Sequence, residues 1–237
     1  MICLCVLNHN ISINVDLLEL EDFQCRSDVG FLVDGTGSIC QGTFQDGGCL
    51  NWIHTMNFLL ILVRYMGLAT DGTHASVALY SDTAINPYRR EIRFDEFTDI
   101  DAFLDRVSDI TFPDFGTTAS TNALATSLTD MFNVNINGMR EDVPLTLVFL
   151  TDGECRHRPP ESICTEIRFQ NLREDFRGRE IEVIGIGVGL DENEPNDENA
   201  LRQIGWLTDN VATTNDFAEL YSPDFALNLD LCQGSHT

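Results

Sequence analysis

The chain has 237 residues, of which 43% are hydrophobic, so it is long enough for one large α/β domain or two small ones and is not a disordered chain. It carries 38 acidic residues against 14 Lys and Arg, a formal net charge of −24, and the chain contains no Lys. A surface of this sign repels nucleic acid and anionic membranes and attracts cations, although acidity alone also keeps proteins soluble. No segment approaches the roughly 18 apolar residues of a membrane helix. We therefore expect no nucleic-acid partner and no direct membrane insertion.

From about residue 28, buried strands alternate with helices. The predicted strands cover residues 29–33, 75–80, 145–150, 181–188 and a short edge at 210–214, and the predicted helices cover 51–66, 99–110, 118–132, 164–176, 199–206 and 217–231. Residues 91–97 alternate in hydrophobicity and follow the preceding strand too closely for a helical crossover, so they should pair antiparallel at an edge. The pattern predicts an α/β fold, with a doubly wound, mostly parallel six-stranded sheet, one antiparallel edge strand and helices on both faces.

Six of the eight cysteines are placed as pairs. Cys40 and Cys49 flank a Gly-rich stretch, Cys155 and Cys164 flank a second loop, and Cys25 and Cys232 bracket the recognisable pattern. None of the spacings suits a zinc site, so we expect three disulfides and an extracellular or cell-surface location. The alternative is buried free thiols in a cytosolic protein. The N-terminus, MICLCVL, has no basic region and no small-residue cleavage site, so we do not identify a signal peptide.

Oxygen-bearing side chains follow two of the buried strands. Asp34-Gly-Thr36-Gly-Ser38 comes directly after the strand at 29–33, and Thr151-Asp152-Gly-Glu follows the strand at 145–150. A third segment, Phe-Gly-Thr-Thr118-Ala-Ser, opens a helix. Ligands of open parallel sheets bind beyond the carboxyl ends of the strands, so these three loops should meet at one edge if the two strands are neighbours. Carboxylates and hydroxyls together suit a hard cation such as Mg²⁺ or Ca²⁺.

The first loop, the start of the helix at Thr118 and the aspartate at 152 resemble the metal-ion-dependent adhesion site (MIDAS) of von Willebrand factor A domains. The segments DVGFLVDGTGSI, TTASTNALATSL, LTLVFLTDGE and EVIGIGVG are similar to landmarks of that family in the same order. The usual first loop is Asp-x-Ser-x-Ser, and Thr36 keeps the hydroxyl of its middle position while adding a methyl group. The similarity covers roughly residues 25–232, which leaves residues 1–24 as an N-terminal extension and 233–237 as a tail.

The resemblance implies a non-enzymatic adhesion or recognition module with a Rossmann-like fold. Its implied metal ligands are Asp34, Thr36, Ser38, Thr118 and Asp152, holding Mg²⁺, Ca²⁺ or Mn²⁺. In similar domains one coordination position is left for an acidic side chain of a protein or extracellular-matrix partner. The terminal disulfide that some members carry is similar to Cys25–Cys232. The two short disulfides should lie on the binding face, where they either rigidify a recognition surface or staple long loops.

Three other functions remain open on the residues alone. An acidic structural matrix or mineral-associated protein would use the carboxylates collectively. An aspartyl-phosphate phosphotransferase would use Asp34 as its nucleophile, but such enzymes need a lysine or a second aspartate two residues earlier, where this chain has Leu32. A dinucleotide site at Gly185-Ile-Gly187-Val-Gly189 lacks the G-x-G-x-x-G spacing, and these glycines are more typical of close packing.

Overall fold

The fold is described from a computed structural model. It describes residues 6–7, 10–11, 25–40, 44–45, 48–81, 88–113, 120–153, 155, 164–190, 195–220, 222, 225, 228–229 and 231. Among these residues, no helix has both the length and the apolar character needed to cross a membrane.

The elements follow one another in an alternating order. The strands are β1 (Val6–Leu7), β2 (Asn10–Ile11), β3 (Asp28–Asp34), β4 (Phe44–Gln45), β5 (Gly48–Cys49), β6 (His74–Tyr80), β7 (Tyr88–Ile92), β8 (Leu145–Thr151), β9 (Ile181–Val188) and β10 (Val211–Thr214). The helices are α1 (Leu50–Met66), α2 (Ile100–Ser108), α3 (Ser120–Thr129), α4 (Val134–Asn137), α5 (Glu166–Gly178) and α6 (Pro195–Leu207), and a 3-10 turn covers Gly37–Cys40. Of the helix predicted at 217–231, residues 217–220 form a turn and residues 225 and 228 are helical, whereas residues 221, 223–224, 226–227 and 230 lie outside the described residues.

Six strands form one sheet in the order β10-β9-β8-β3-β6-β7. All neighbours are parallel except β6 and β7, which are antiparallel. The predicted fold class is therefore confirmed. β3 lies at the centre, paired with β8 on one side and β6 on the other, and this placement brings the carboxyl ends of β3 and β8 to one edge of the sheet.

The antiparallel edge strand is displaced from its predicted position at 91–97. It covers Tyr88–Ile92, and the chain then turns at residues 94–96. Phe94, which completed the sequence alternation, is fully buried against the ring of Phe132 at 5.9 Å between centroids. Its N–H donates to the carbonyl of Asn137 at 3.0 Å rather than to β6. A tertiary contact thus replaces the sheet pairing that alternation suggests.

Helices cover both faces of the sheet and bury two apolar cores. α1 and α2 pack with Phe31, Val77 and Val148 on one face, whereas α3, α5 and α6 pack with Leu32, Phe149 and Val183 on the other. The glycines of β9 allow α6 to approach the sheet. A Cβ on Gly185 would lie 2.2 Å from Ile204 Cγ2. The absence of a side chain at Gly185 therefore serves helix–sheet packing.

The amino-terminal end of β3 carries a buried ion pair. Asp28 is fully buried, and its carboxylate accepts hydrogen bonds from the Arg140 backbone N–H at 2.6 Å and from Arg140 Nε at 2.8 Å. The guanidinium also donates to the carbonyls of Ser27 and Gly72 at 2.9 and 2.8 Å. Burial raises the pKa of Asp28, although the hydrogen bonds and the charge of Arg140 oppose that shift. This end of the strand is closed by a cation from the chain itself.

Candidate metal centre

The carboxyl ends of β3 and β8 lie side by side at one edge of the sheet. The two strands are parallel and in register, with Val33 opposite Leu150. Asp34, the last residue of β3, and Asp152, the residue after β8, therefore lie at the same edge of the sheet. Of the five predicted site residues, the structure brings together Asp34, Thr36, Ser38 and Asp152, while Thr118 lies outside the described residues.

Asp34 is fully buried and held by donors from three segments. Its Oδ1 accepts a hydrogen bond from the Thr36 backbone N–H at 3.0 Å. Its Oδ2 accepts from the hydroxyl of Tyr80, at the end of β6, at 3.1 Å and from the hydroxyl of Thr151, at the end of β8, at 3.0 Å. The carboxylate therefore has a fixed orientation at the rim of the sheet.

Two hydroxyls connect Asp34's loop to Asp152. The Oγ1 of Thr36 lies 2.9 Å from the Oγ of Ser38, and Ser38 Oγ donates to Asp152 Oδ1 at 3.0 Å. Either hydroxyl can be the donor in the Thr36–Ser38 pair. Thr36 is buried, whereas Ser38 is exposed to solvent. The row of oxygens thus runs from the interior outward.

The pKa values of both carboxylates are raised, chiefly by burial. Burial, and then the charge of Asp34, raise the pKa of Asp152 to about 8, although the hydrogen bond from Ser38 opposes the shift. Burial also raises the pKa of Asp34, against hydrogen bonds from Thr36, Thr151 and Tyr80. Buried carboxylates with raised pKa values are incompletely compensated by their surroundings. A positive charge between them would stabilise both.

The donor set fits a hard cation. It consists of carboxylate and hydroxyl oxygens, the ligands that Mg²⁺, Ca²⁺ and Mn²⁺ prefer. Among the described residues, neither aspartate forms an ion pair with an Arg or His. Within the same residues, no three His, Cys, Asp or Glu side chains gather into a metal-binding group, so the candidate set combines two carboxylates with two hydroxyls.

Two predicted disulfides border the site. Cys40 and Cys49 are bonded with their Cα atoms 5.3 Å apart, and Cys155 and Cys164 with theirs 5.7 Å apart. Both predictions are confirmed, and each bridge lies in a segment that follows one of the two aspartates. Cys25 is also disulfide-bonded, but its predicted partner Cys232 lies outside the described residues.

Three residues of this region were not singled out by the sequence. Tyr80 and Thr151 orient Asp34, and Gln203 on α6 contacts the backbone of Cys155 beyond Asp152. Thr151 and Tyr80 were detectable in principle because each is the last residue of a strand beside β3. Gln203 gives no such signal, because its role depends on how α6 is rotated against the sheet.

Comparison with known proteins assigns the fold. The family model for the von Willebrand factor type A domain matches residues 28–226. Among solved structures, proximal thread matrix protein 1 (PTMP1) from the mussel byssus superposes with a TM-score of 0.70 at 19% sequence identity, covering 87% of this chain and 48% of the mussel protein. A second structure of it, at 18% identity and TM-score 0.68 with the same coverage, has a zinc-occupied MIDAS motif.

A more distant match is the manganese-loaded TRAP protein of Plasmodium vivax, with a TM-score of 0.57 at 22% identity, covering 85% of this chain and 74% of that one. The pilus adhesin SpaC from Lactobacillus rhamnosus GG has a TM-score of 0.58 at 13% identity, covering 86% and 30%. The chain thus spans about half the length of the mussel protein. At these identities the likeness concerns the fold.

Proposed function

The chain belongs to the von Willebrand factor type A domain family, and we propose that it is a non-enzymatic adhesion or recognition module that binds an acidic group of a protein or extracellular-matrix partner through a divalent cation. We propose Asp34, Thr36, Ser38, Thr118 and Asp152 as the residues that hold the ion, which is Mg²⁺, Ca²⁺ or Mn²⁺. The proposed domain covers residues 25–232.

One observation carries the proposal. Two carboxylates with raised pKa values lie at one sheet edge, joined by two hydroxyls, and no cation of the described chain neutralises them. A protein retains such a costly arrangement where charge is to be bound. Relatives of the same fold support it, since one carries zinc in a MIDAS motif and another is manganese-loaded.

The chain's own groups divide the work between them. Asp34, fixed by Tyr80 and Thr151, supplies buried negative charge, while Thr36 and Ser38 supply neutral oxygens nearer the surface. A bound divalent cation supplies positive charge at one point of an otherwise anionic surface, which lets an acidic partner group approach. Because the net charge is −24, the rest of the surface repels acidic partners and recognition is confined to this edge.

The burial of Asp34 argues against phosphoryl transfer. Its side chain is fully buried, and both carboxylate oxygens accept hydrogen bonds. A nucleophile must present a free oxygen to its substrate, whereas an oriented charge need not. The absence of Lys from the sequence removes the residue such enzymes use to stabilise the transferred phosphoryl group.

The two short disulfides support an extracellular or cell-surface location for the proposed module, because disulfides persist in oxidising compartments.

A second candidate function is a structural matrix protein that binds many cations weakly. The net charge of −24 and the similarity to a thread matrix protein favour it. The two functions differ in stoichiometry, since adhesion requires one tight ion and a matrix role many weak ones.

Calorimetric titration tests the proposal directly. We expect wild-type protein to bind one Mg²⁺ or Mn²⁺ tightly, and Asp34→Ala and Asp152→Asn to lose that binding. The matched control is Asp105→Asn, which removes an exposed carboxylate from α2 and should leave the affinity unchanged. Equal affinity in Asp34→Ala and wild type would remove Asp34 from the site. A pulldown of matrix proteins with and without chelator then tests whether capture depends on the ion.

A further inference from the structure

We propose that Gln203 is a positioning residue of this site, because its side-chain amide holds the backbone of Cys155 and thereby fixes the loop that presents Asp152. The inference deepens the proposed function and rests on it. Gln203 belongs to α6, four residues before the last residue of that helix, Leu207, and its side chain is buried on the side that faces the sheet.

The contact consists of two hydrogen bonds to a single residue. The N–H of Cys155 donates to Gln203 Oε1 at 2.7 Å, and Gln203 Nε2 donates to the carbonyl of Cys155 at 3.5 Å. Gln203 is buried, with 7% of its surface exposed, beside Ile204 and Ala200. A buried amide in such surroundings is costly unless it is hydrogen-bonded, so the side chain is held to Cys155 rather than free to turn elsewhere. The side-chain amide of Gln203 thus pairs with both the N–H and the carbonyl of Cys155, as the backbone of an adjacent strand would.

Gly153, the residue after Asp152, packs loosely against the described part of the chain. Among the described residues, no atom lies within 4 Å of the position that a Cβ on Gly153 would take. Ser120, Thr151, Gly153 and Gln203 line a cavity of about 10 Å³ beneath it. The N–H of Gly153 donates to Thr151 Oγ1 at a long 3.3 Å. Packing against the described residues therefore contributes little to the position of Gly153, whereas the Cys155 N–H is held by its 2.7 Å bond to Gln203.

The disulfide does not replace this bond. It ties the side chain of Cys155 to Cys164, next to the first turn of α5, but a side-chain link leaves the orientation of the Cys155 peptide free. Gln203 fixes that peptide from α6. Asp152 must stay within hydrogen-bond distance of Ser38. A displacement of Asp152 by about 1 Å would break that hydrogen bond and separate Asp152 from the loop that carries Asp34.

Three variants test the role. Gln203→Met removes both hydrogen bonds at nearly constant volume, Gln203→Glu keeps the acceptor for the Cys155 N–H, and Gln170→Met makes the same change on the exposed side of α5 as a matched control. We expect Mg²⁺ affinity, measured by calorimetry, to fall about tenfold in Gln203→Met, in the range seen when residues behind metal ligands are replaced. Gln203→Glu should stay within about threefold of wild type, and Gln170→Met should not change.

A second readout needs no metal. Amide hydrogen exchange at Cys155 in chelator should be faster in Gln203→Met than in wild type and Gln203→Glu, whereas exchange in β8 should be unchanged. If Gln203→Met does not fold, Gln203→Asn, which withdraws the amide by one methylene, takes its place. Equal Mg²⁺ affinity and equal exchange in folded Gln203→Met and wild type would overturn the positioning role and leave the proposed function standing. A wild-type protein that binds no divalent ion would overturn both.

Discussion

The two ends of strand β3 each carry a fully buried aspartate, and they solve the same electrostatic problem in different ways. At the amino-terminal end, Asp28 is paired with Arg140, which donates to both of its oxygens. At the carboxyl-terminal end, the donors that Asp34 has among the described residues are all neutral, and its charge acts on a second carboxylate, Asp152. A buried acid with its own cation is structural, whereas we propose that Asp34, which has no cation among the described residues, receives one from outside.

The largest effect on stability should come from breaking the ion pair of Asp28 and Arg140 at the amino-terminal end of β3 (the closed end). Arg140→Met leaves Asp28 buried without a partner, so we expect the free energy of unfolding, measured in urea at pH 7, to fall by about 3–5 kcal/mol. The double variant Asp28→Asn/Arg140→Met should recover much of this loss because it buries no unpaired charge. A loss below about 1 kcal/mol in Arg140→Met would show that the two ends do not differ as argued.

At the carboxyl-terminal end of β3, where Asp34 and Asp152 lie (the open end), we expect removal of a charge not to lower the free energy of unfolding. In chelator, Asp152→Asn removes one of two mutually repelling carboxylates, so stability at pH 8 should be unchanged or higher. Addition of Mg²⁺ at a hundred times its dissociation constant should stabilise wild type by about 2.7 kcal/mol and the variant by much less. Thermal unfolding with and without Mg²⁺ measures both effects. A variant that is destabilised in chelator but still gains from Mg²⁺ contradicts the assignment.

Much of this contrast was predictable at the open end and little at the closed one. Asp34 and Asp152 follow apolar runs, and parallel strands end at a common edge, so their meeting follows from the sequence pattern. Arg140 lies in an irregular stretch between α4 and β8, 112 residues from Asp28, and no periodicity connects them. Tyr80 resembles any core residue of a strand until the register of β6 against β3 places its hydroxyl at Asp34. The side chains that support the charges thus depend on tertiary register, which local patterns do not encode.

The raised pKa at the open end makes both stability and ion binding depend on pH. The pKa of Asp152 is about 8 in the folded state and about 3.9 in an unfolded chain, so between these values the folded state binds a proton that the unfolded state releases. Stability in chelator should therefore fall as pH rises from about 5 to 8, by at most about 1.4 kcal/mol per pH unit for one proton. Asp152→Asn should flatten this slope in thermal melts.

The same proton must leave when an ion binds. Mg²⁺ affinity should rise by up to about tenfold per pH unit until about pH 8 and then level off. Titrations at pH 7 in buffers with different ionisation enthalpies should show release of close to one proton. A pH-independent affinity between pH 6 and 8 would mean that Asp152 does not lose a proton on binding.

The smallest effect is expected where the first loop departs from the family pattern. Thr36 presents its hydroxyl to Ser38 at 2.9 Å, and Thr36 is buried to 1% exposure. Thr36→Ser keeps the hydroxyl and removes only a buried methyl, so stability should fall by about 0.8 kcal/mol and Mg²⁺ affinity should change less than about threefold. Thr36→Val keeps the shape and removes the oxygen, and it should weaken Mg²⁺ binding by at least about tenfold. Calorimetric titration of Thr36→Ser and Thr36→Val with Mg²⁺ distinguishes the contribution of the hydroxyl oxygen from that of the methyl group. If Thr36→Val binds Mg²⁺ as well as wild type does, the hydroxyls between the two aspartates are structural. Mg²⁺ binding at the open end of β3 would then depend on the carboxylates alone.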